Sequence, residues 1–385
     1  MRGRFLLGVG TAYLACRAVS FVVLAVVSRY QEPNFWTDDH PDYLDMTVLW
    51  DGSWYREIAE HGYPVPLPRD PATGGLQQNA WAFYPAFPLT VRALMWVTGL
   101  GFPLVASTLA LLLGLGAALV MGVLLQERVG ATVAVAAVLV WGAYPASPTL
   151  QVAYTESAAM LLLCAFLLVL SHHRWWAAGG IAILLGLTRP IAAPLGVVVL
   201  VAVVLRWRRR RTEPLGRGEA LGMAGALAGC VIGTITWPAV AWWATGSRSA
   251  YTDTMATWRG SGEVVPVRPW LDMASYLWGD HALLWLGLIL LGLVVPVAGP
   301  WARPLGAQLR AWALAYPAYL VLVLDPFTSI FRYLIPLFPL AVVAVGRSPR
   351  LVWLRAALLV TAFLPLQVWW TYALFRFVPP TDYPP

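Results

Sequence analysis

The chain has 385 residues, 59% hydrophobic and only 12% charged, with mean hydropathy +0.67 and a formal net charge of +7. A soluble domain carries about a quarter charged residues, so the composition excludes an ordinary soluble enzyme and predicts a polytopic membrane protein. All 26 basic residues are arginine; they cluster between apolar runs, as cytoplasmic loop charges do, and no nucleic-acid partner is read from them.

In chain order, apolar runs near 5–27, 103–125, 131–147, 155–171, 175–188, 190–205, 220–243, 282–299, 311–324, 333–345 and 351–373 predict about eleven transmembrane helices. The first run lacks a small-residue cleavage site and reads as a span, not a signal peptide. Arg2 with Arg4, Arg128, "HHR" (172–174), "RWRRRR" (206–211), Arg303 with Arg310, and "RSPR" (347–350) mark the inner loops. The N-terminus is then inside and the C-terminus outside. Between two inner flanks, 175–205 must go out and return, so two short helices are expected to meet near Arg189 on the outer side. Residues 83–100, interrupted by Arg92, are read as an amphipathic helix in the outer interface, because a crossing there would invert every basic loop downstream.

The expected architecture is an all-α polytopic membrane protein forming one domain over 1–385. A first outer loop spans 28–102 and a second spans 244–281. Nine of the 19 acidic residues lie between Glu32 and Asp70, and Trp36, Trp50, Trp54, Trp81, Trp258, Trp270 and Trp278 crowd the same side. Concentrated acid beside an aromatic belt points to polar chemistry there. There is no Walker motif, dinucleotide fingerprint or His/Cys metal spacing, and Cys16, Cys164 and Cys230 all lie inside apolar runs. No cofactor or metal is read from the sequence. An enzyme working on the outer face has no nucleotide sugar at hand, so its activated substrate would be carried by lipid.

"VLWDGSWYREIAEHGY" (48–63) supplies the first candidate. At 100° per residue a helix here puts Trp50, Trp54, Tyr55 and Ile58 on one arc and Ser53, Arg56, Glu57 and Glu60 on the other, with Asp51 inside the apolar arc. A carboxylate there needs a partner or a cavity. Either Asp51 is a base, or the segment is not helical at Asp51 and the side chain caps a turn before Gly52. Asp38 and Asp39, in "TDDHPDYLDM", are solvated loop acids or substrate contacts; Glu57 lies on the polar arc, and His61, just before Gly62, either assists acid–base work or sits at the surface. "FYPAFP" (83–88) and "RYLIPLFP" (332–339) echo each other as bent helix entries; either they are kinks with aromatic anchoring and a snorkelling Arg332, or they form a lipid-facing groove edge with Tyr84, Tyr333 and, at its mouth, Arg332. Glu156, opening a span in "YTESAA", is either a substrate contact or a first-turn acid favoured by the helix dipole with Thr155 as cap. Arg189, inside the apolar run "LTRPIAAP", could hold a phosphate, and Arg17 in the first span is a weaker case.

Together, "WDGSWYREIAEHGY", "AFYPAFPL", "YTES", "LTRP" and "RYLIPLFPL" run in the order found in the PIG-V-type mannosyltransferases of GPI-anchor synthesis and their actinobacterial relatives, and cover about residues 45–340. The chain resembles that family, part of the GT-C superfamily. The resemblance implies a GT-C-like fold, a polyprenyl-phosphate-mannose donor, inverting transfer to a lipid, glycan or protein acceptor, and an active site on the outer face of the bacterial plasma membrane. It makes Trp50 and Asp51 the functional pair of the first outer loop. The expected assignment has Asp51 as base with Trp50 beside it. Arg189 and Arg332 would hold the donor phosphate, with Asp38, Asp39, Glu57, His61, Tyr84, Glu156 and Tyr333 as substrate contacts. The alternative is a transporter or flippase of a lipid-linked sugar, disfavoured because one broken helix pair and no internal repeat are visible.

Overall fold

The computed structural model describes residues 2–259, 262–379 and 384–385. Among them the chain is helical: α1 (Arg2–Val27), α2 (Tyr43–Met46), α3 (Asp51–Glu60), α4 (Ala86–Thr98), α5 (Phe102–Val129), α6 (Ala131–Gly142), α7 (Glu156–Ser171), α8 (Trp175–Gly186), α9 (Ala192–Arg208), α10 (Arg217–Thr245), α11 (Ala250–Ala256), α12 (Arg268–Trp278), α13 (Ala282–Ala298), α14 (Gly306–Val323), α15 (Ile330–Tyr333), α16 (Pro339–Val345) and α17 (Val352–Trp370). No strand forms among the described residues; the one β-bridge joins Arg69 to Leu76.

Five helical stretches are long and apolar enough to cross a bilayer: Gly3–Tyr30, Phe102–Val129, Arg217–Thr245, Arg268–Ala298 and Val352–Phe375. The chain is on this ground a multi-pass membrane protein. The other predicted spans are shorter. The helix predicted over 131–147 stops at Gly142, and residues 143–155 form an irregular, almost wholly buried segment. The span predicted over 333–345 is broken into α15, a 3-10 turn and α16, because Pro336 and Pro339 cannot continue the hydrogen-bond ladder. The second predicted loop, 244–281, contains α11 and α12, and α12 runs almost directly into α13. Two short helices do meet near Arg189, with α8 and α9 joined by residues 187–191. Helix α4 falls within 83–100 and buries Phe87, Pro88 and Val91 while exposing Leu89, Trp96 and Val97.

Small residues set the closest helix approach. Gly179 and Gly186 of α8 lie against Gly225, Gly229 and Gly233 of α10, and a Cβ on Gly186 would run into the Gly233 carbonyl. Such small-residue seams let backbones meet where lipid offers no hydrophobic drive. Arginines close the helix ends. Arg17 donates to the carbonyl of Gly142 (2.5 Å), the last residue of α6, and to that of Ser147 in the segment that follows. Arg92 donates to Ala59 (2.6 Å) and Ile58 (3.1 Å) at the end of α3, and Arg310 to Val297 (2.8 Å) and Ala298 (2.9 Å) at the end of α13. Each guanidinium supplies donors to carbonyls the helix leaves unpaired. Arg17 and Arg92 therefore have structural partners, which accounts for both charges inside apolar runs.

Contacts between helix ends sort them into two groups. One end carries the Glu127–His172 pair (3.2 Å), the Arg206–Glu219 pair (2.7 Å) and the Arg310 cap. The other gathers the starts of α3 and α7, the α8–α9 turn, α15 and the end of α17. There Gln31 clasps Phe377 through two hydrogen bonds (2.6 and 3.0 Å), and the Ala86 N–H reaches the Leu187 carbonyl (2.9 Å).

Candidate functional site

The site grows from two helix N-termini held side by side. The Ala153 N–H donates to the Thr47 carbonyl (2.9 Å), and the Tyr154 hydroxyl to the Leu49 carbonyl (3.3 Å). This knits the start of α3 to the start of α7, so Asp51 and Glu156, each the first residue of its helix, face one region. Both carboxylates sit where the helix dipole favours negative charge.

Asp51 is helical, and the arc holds within α3: Tyr55, Ile58 and Ala59 are buried, Trp54 and Ser53 are half-buried, and Arg56, Glu57 and Glu60 are exposed. Trp50 does not share that arc. It precedes the helix with φ +58, a left-handed backbone that no helix continues, and its indole turns away to donate to the Phe375 carbonyl (2.7 Å). Its ring packs on Trp36 and Phe377. Trp50 thus anchors the start of α3 beside the charged cluster, without an ion-pair contact of its own among the described residues.

The cations arrive from broken helices. The carbonyls freed at 333–336 are taken up by Tyr316 (Tyr333 O, 2.9 Å), Trp141 (Ile335 O, 3.2 Å) and Trp312 (Pro336 O, 2.9 Å), which fixes α15. Arg332 Nη1 then donates to Asp51 Oδ2 (2.5 Å) and lies 3.3 Å from Glu156 Oε1. Arg189, in the α8–α9 turn, places Nη1 2.5 Å from the same Glu156 oxygen. Both guanidiniums lie over the Tyr333 ring at 5.2 Å, and Arg332 also over Tyr154 at 5.3 Å.

The result is a line of alternating charge, Asp51–Arg332–Glu156–Arg189, with two anions and two cations. Ions out of water persist only when paired this way. Its middle is closed and its ends are more open: exposure is 20% at Asp51 and 13% at Arg189, against 6% at Arg332 and 3% at Glu156. Glu156 Oε2 and Arg332 Nε are buried without a hydrogen-bond partner. Tyr55 lies beneath the cluster, its hydroxyl 3.3 Å from the Thr155 hydroxyl. Burial, with the Asp51 charge nearby, pushes this phenol up, so it stays a neutral donor. Thr155, expected as a side-chain cap, makes this contact and no cap hydrogen bond.

The other predicted residues lie elsewhere. Asp38 and Asp39 are exposed, Asp39 standing 3.7 Å from His40. Glu57 and His61 pair with each other (3.1 Å) on the exposed face of α3, where they help line an open groove of about 560 Å³ with Ser53, Trp54, Tyr63 and Gln78. Tyr84 is buried among Trp81 and Trp237 with its hydroxyl 2.8 Å from that of Tyr251, and burial pushes its phenol up. Tyr333 joins the cluster through its ring. Sequence reasoning missed Tyr154 and Tyr55, whose aromatic character blends into apolar surroundings; only their places beside Glu156 and on the Asp51 arc signalled them.

No protein-family model matches the chain, and no curated protein is significantly similar to it.

Proposed function

We propose that the chain is an integral membrane glycosyltransferase that moves a mannosyl residue from polyprenyl-phosphate-mannose to a hydroxyl of a glycolipid, glycan or protein, with inversion, at the outer face of a bacterial plasma membrane. The observation that carries the reading is the line Asp51–Arg332–Glu156–Arg189: one partly exposed carboxylate beside two guanidiniums that converge from elements 143 residues apart. A lipid-phosphate leaving group is already anionic and needs cations, not an acid, and guanidiniums suit phosphate oxygens. In the proposed step Asp51 takes the proton of the acceptor hydroxyl as its oxygen bonds to the sugar C1. The bond from C1 to the phosphate oxygen breaks, and the phosphate leaves with its electron pair facing Arg189 and Arg332. A single displacement inverts the anomeric centre and uses one base.

The architecture under this reading is GT-C-like, with about eleven helical passes, the 28–102 loop carrying α3 and α4, and the 244–281 loop on the same outer side. The five motifs in family order support it, as do the Arg206–Glu219 pair and the Arg310 cap at the end opposite the cluster. Incubation of the purified protein with polyprenyl-phosphate-mannose labelled in the sugar, plus a crude lipid acceptor pool, tests the reading. A new labelled product is expected. Donor recovered intact, with and without the pool, would defeat it.

A further inference from the structure

Glu156 has the surroundings of neither a substrate contact nor a simple helix-end acid. Its side chain is 3% exposed, the most closed position in the charged line. One of its oxygens is shared by two guanidiniums, at 2.5 Å from Arg189 and 3.3 Å from Arg332. These cations come from separate segments, the α8–α9 turn and α15, and Glu156 is the carboxylate that links them. Arg332 has Asp51 as a second partner, whereas Arg189 pairs with Glu156 alone among the described residues. Without Glu156, two like charges over one tyrosine ring would repel and separate. The second oxygen, Oε2, is buried and unpaired. A cluster serving stability alone would be expected to satisfy it.

We infer that Glu156 is a positioning residue, holding Arg189 and Arg332 as a pair so that together they receive the phosphate of one lipid phosphate, as donor and as leaving group. The inference rests on the proposed lipid-phosphate donor. It divides the two carboxylates by role. Asp51, at the open end, competes with the phosphate for Arg332 and is released when phosphate binds. Glu156, in the closed middle, stays and keeps the spacing. The four side chains are neutral together, so an added anion is accommodated by Asp51 giving up Arg332.

The two carboxylates therefore give opposite signs in one binding measurement. The probe is farnesyl phosphate, titrated calorimetrically into the detergent-purified full chain, with melting temperature as the fold control. Asp51→Asn removes a competitor and should bind the probe more tightly than wild type. Glu156→Gln removes the same amount of charge but releases the arginine pair, and should bind about tenfold more weakly or worse, the worth of a charge-assisted hydrogen bond. Glu156→Asp keeps the charge and shifts the carboxylate by one methylene, so its affinity should fall below wild type and above Glu156→Gln. If Glu156→Gln binds as tightly as wild type or tighter, Glu156 is only a balancing charge and the inference is wrong. Should Glu156→Gln fail to fold, Glu156→Asp decides: positioning predicts weaker binding, and wild-type affinity overturns it. If wild type itself does not bind farnesyl phosphate, the donor reading fails and this inference fails with it.

Discussion

Asp51→Asn perturbs two things at once, and the structure separates them. The carboxylate lies at the open end of the charged line, with Oδ2 2.5 Å from Arg332 Nη1 and exposures of 20% and 6% for the two side chains. A hydrogen bond to a charged group contributes about 1.5–3 kcal/mol, and a neutral one about 0.5–1.5. Asparagine still accepts a hydrogen bond from the Arg332 cation but loses the ion-pair attraction, so Arg332 becomes easier to recruit by about 1 kcal/mol, and phosphate binding should tighten by roughly fivefold. Chemistry moves the other way. Asparagine cannot accept the acceptor's proton, and loss of a general base lowers the rate by about 10²–10⁴-fold. The assays are farnesyl phosphate titration and transfer from labelled polyprenyl-phosphate-mannose, on protein whose melting temperature has been recorded. Weaker phosphate binding by the folded variant would refute the competition argument. Turnover above roughly half of wild type, far from the loss expected for a base, would remove Asp51 from the chemistry and move attention to Asp45, Glu57 and Glu60.

Arg189→Lys and Arg332→Lys each keep a charge but lose the planar fork, so farnesyl phosphate affinity should fall by roughly tenfold in both; wild-type affinity in either would take that residue out of the phosphate site. Gly186→Ala places a methyl against the Gly233 backbone of α10 and should lower stability by about 1–3 kcal/mol, read as a lower melting temperature; an unchanged melting temperature would mean that α8 and α10 are not in contact at this point. Topology is checked with Ala72→Cys and Arg210→Cys in intact cells. The native Cys16, Cys164 and Cys230 are buried and give a silent background, so an impermeant thiol reagent should reach position 72 and not 210, and labelling at 210 would invert the orientation.

The inward face of α3 is legible in the sequence because ten residues obey one periodicity, and Asp51 follows it as the first helical residue. Trp50 does not, since a left-handed backbone just before the helix sends its side chain elsewhere, and no spacing rule encodes that turn. The break at Arg189 is legible from two same-side basic flanks around a run too long for one short helix. The break at 333–345 is written in Pro336 and Pro339, yet the apolar run around them reads as one span when periodicity alone is followed. Arg189 and Arg332 stand out singly as charges among apolar residues. Their meeting is a tertiary fact, and the residue that joins them looks in sequence like an ordinary first-turn acid, for which the helix dipole already gives a sufficient reason. Arg17 shows the same ambiguity with the opposite result, since its donors go to carbonyls at the end of α6 and in the segment that follows.

The most direct test of the central claim uses full-length protein in sealed proteoliposomes, with polyprenyl-phosphate-mannose labelled in the sugar and a crude acceptor lipid pool. A transferase with its site at the Asp51 end yields a new labelled glycoside when donor and acceptor share the leaflet facing that end, and yields none with Asp51→Asn. Labelled donor that appears unchanged in the opposite leaflet, with no glycoside formed, would contradict the account and identify the chain as a flippase.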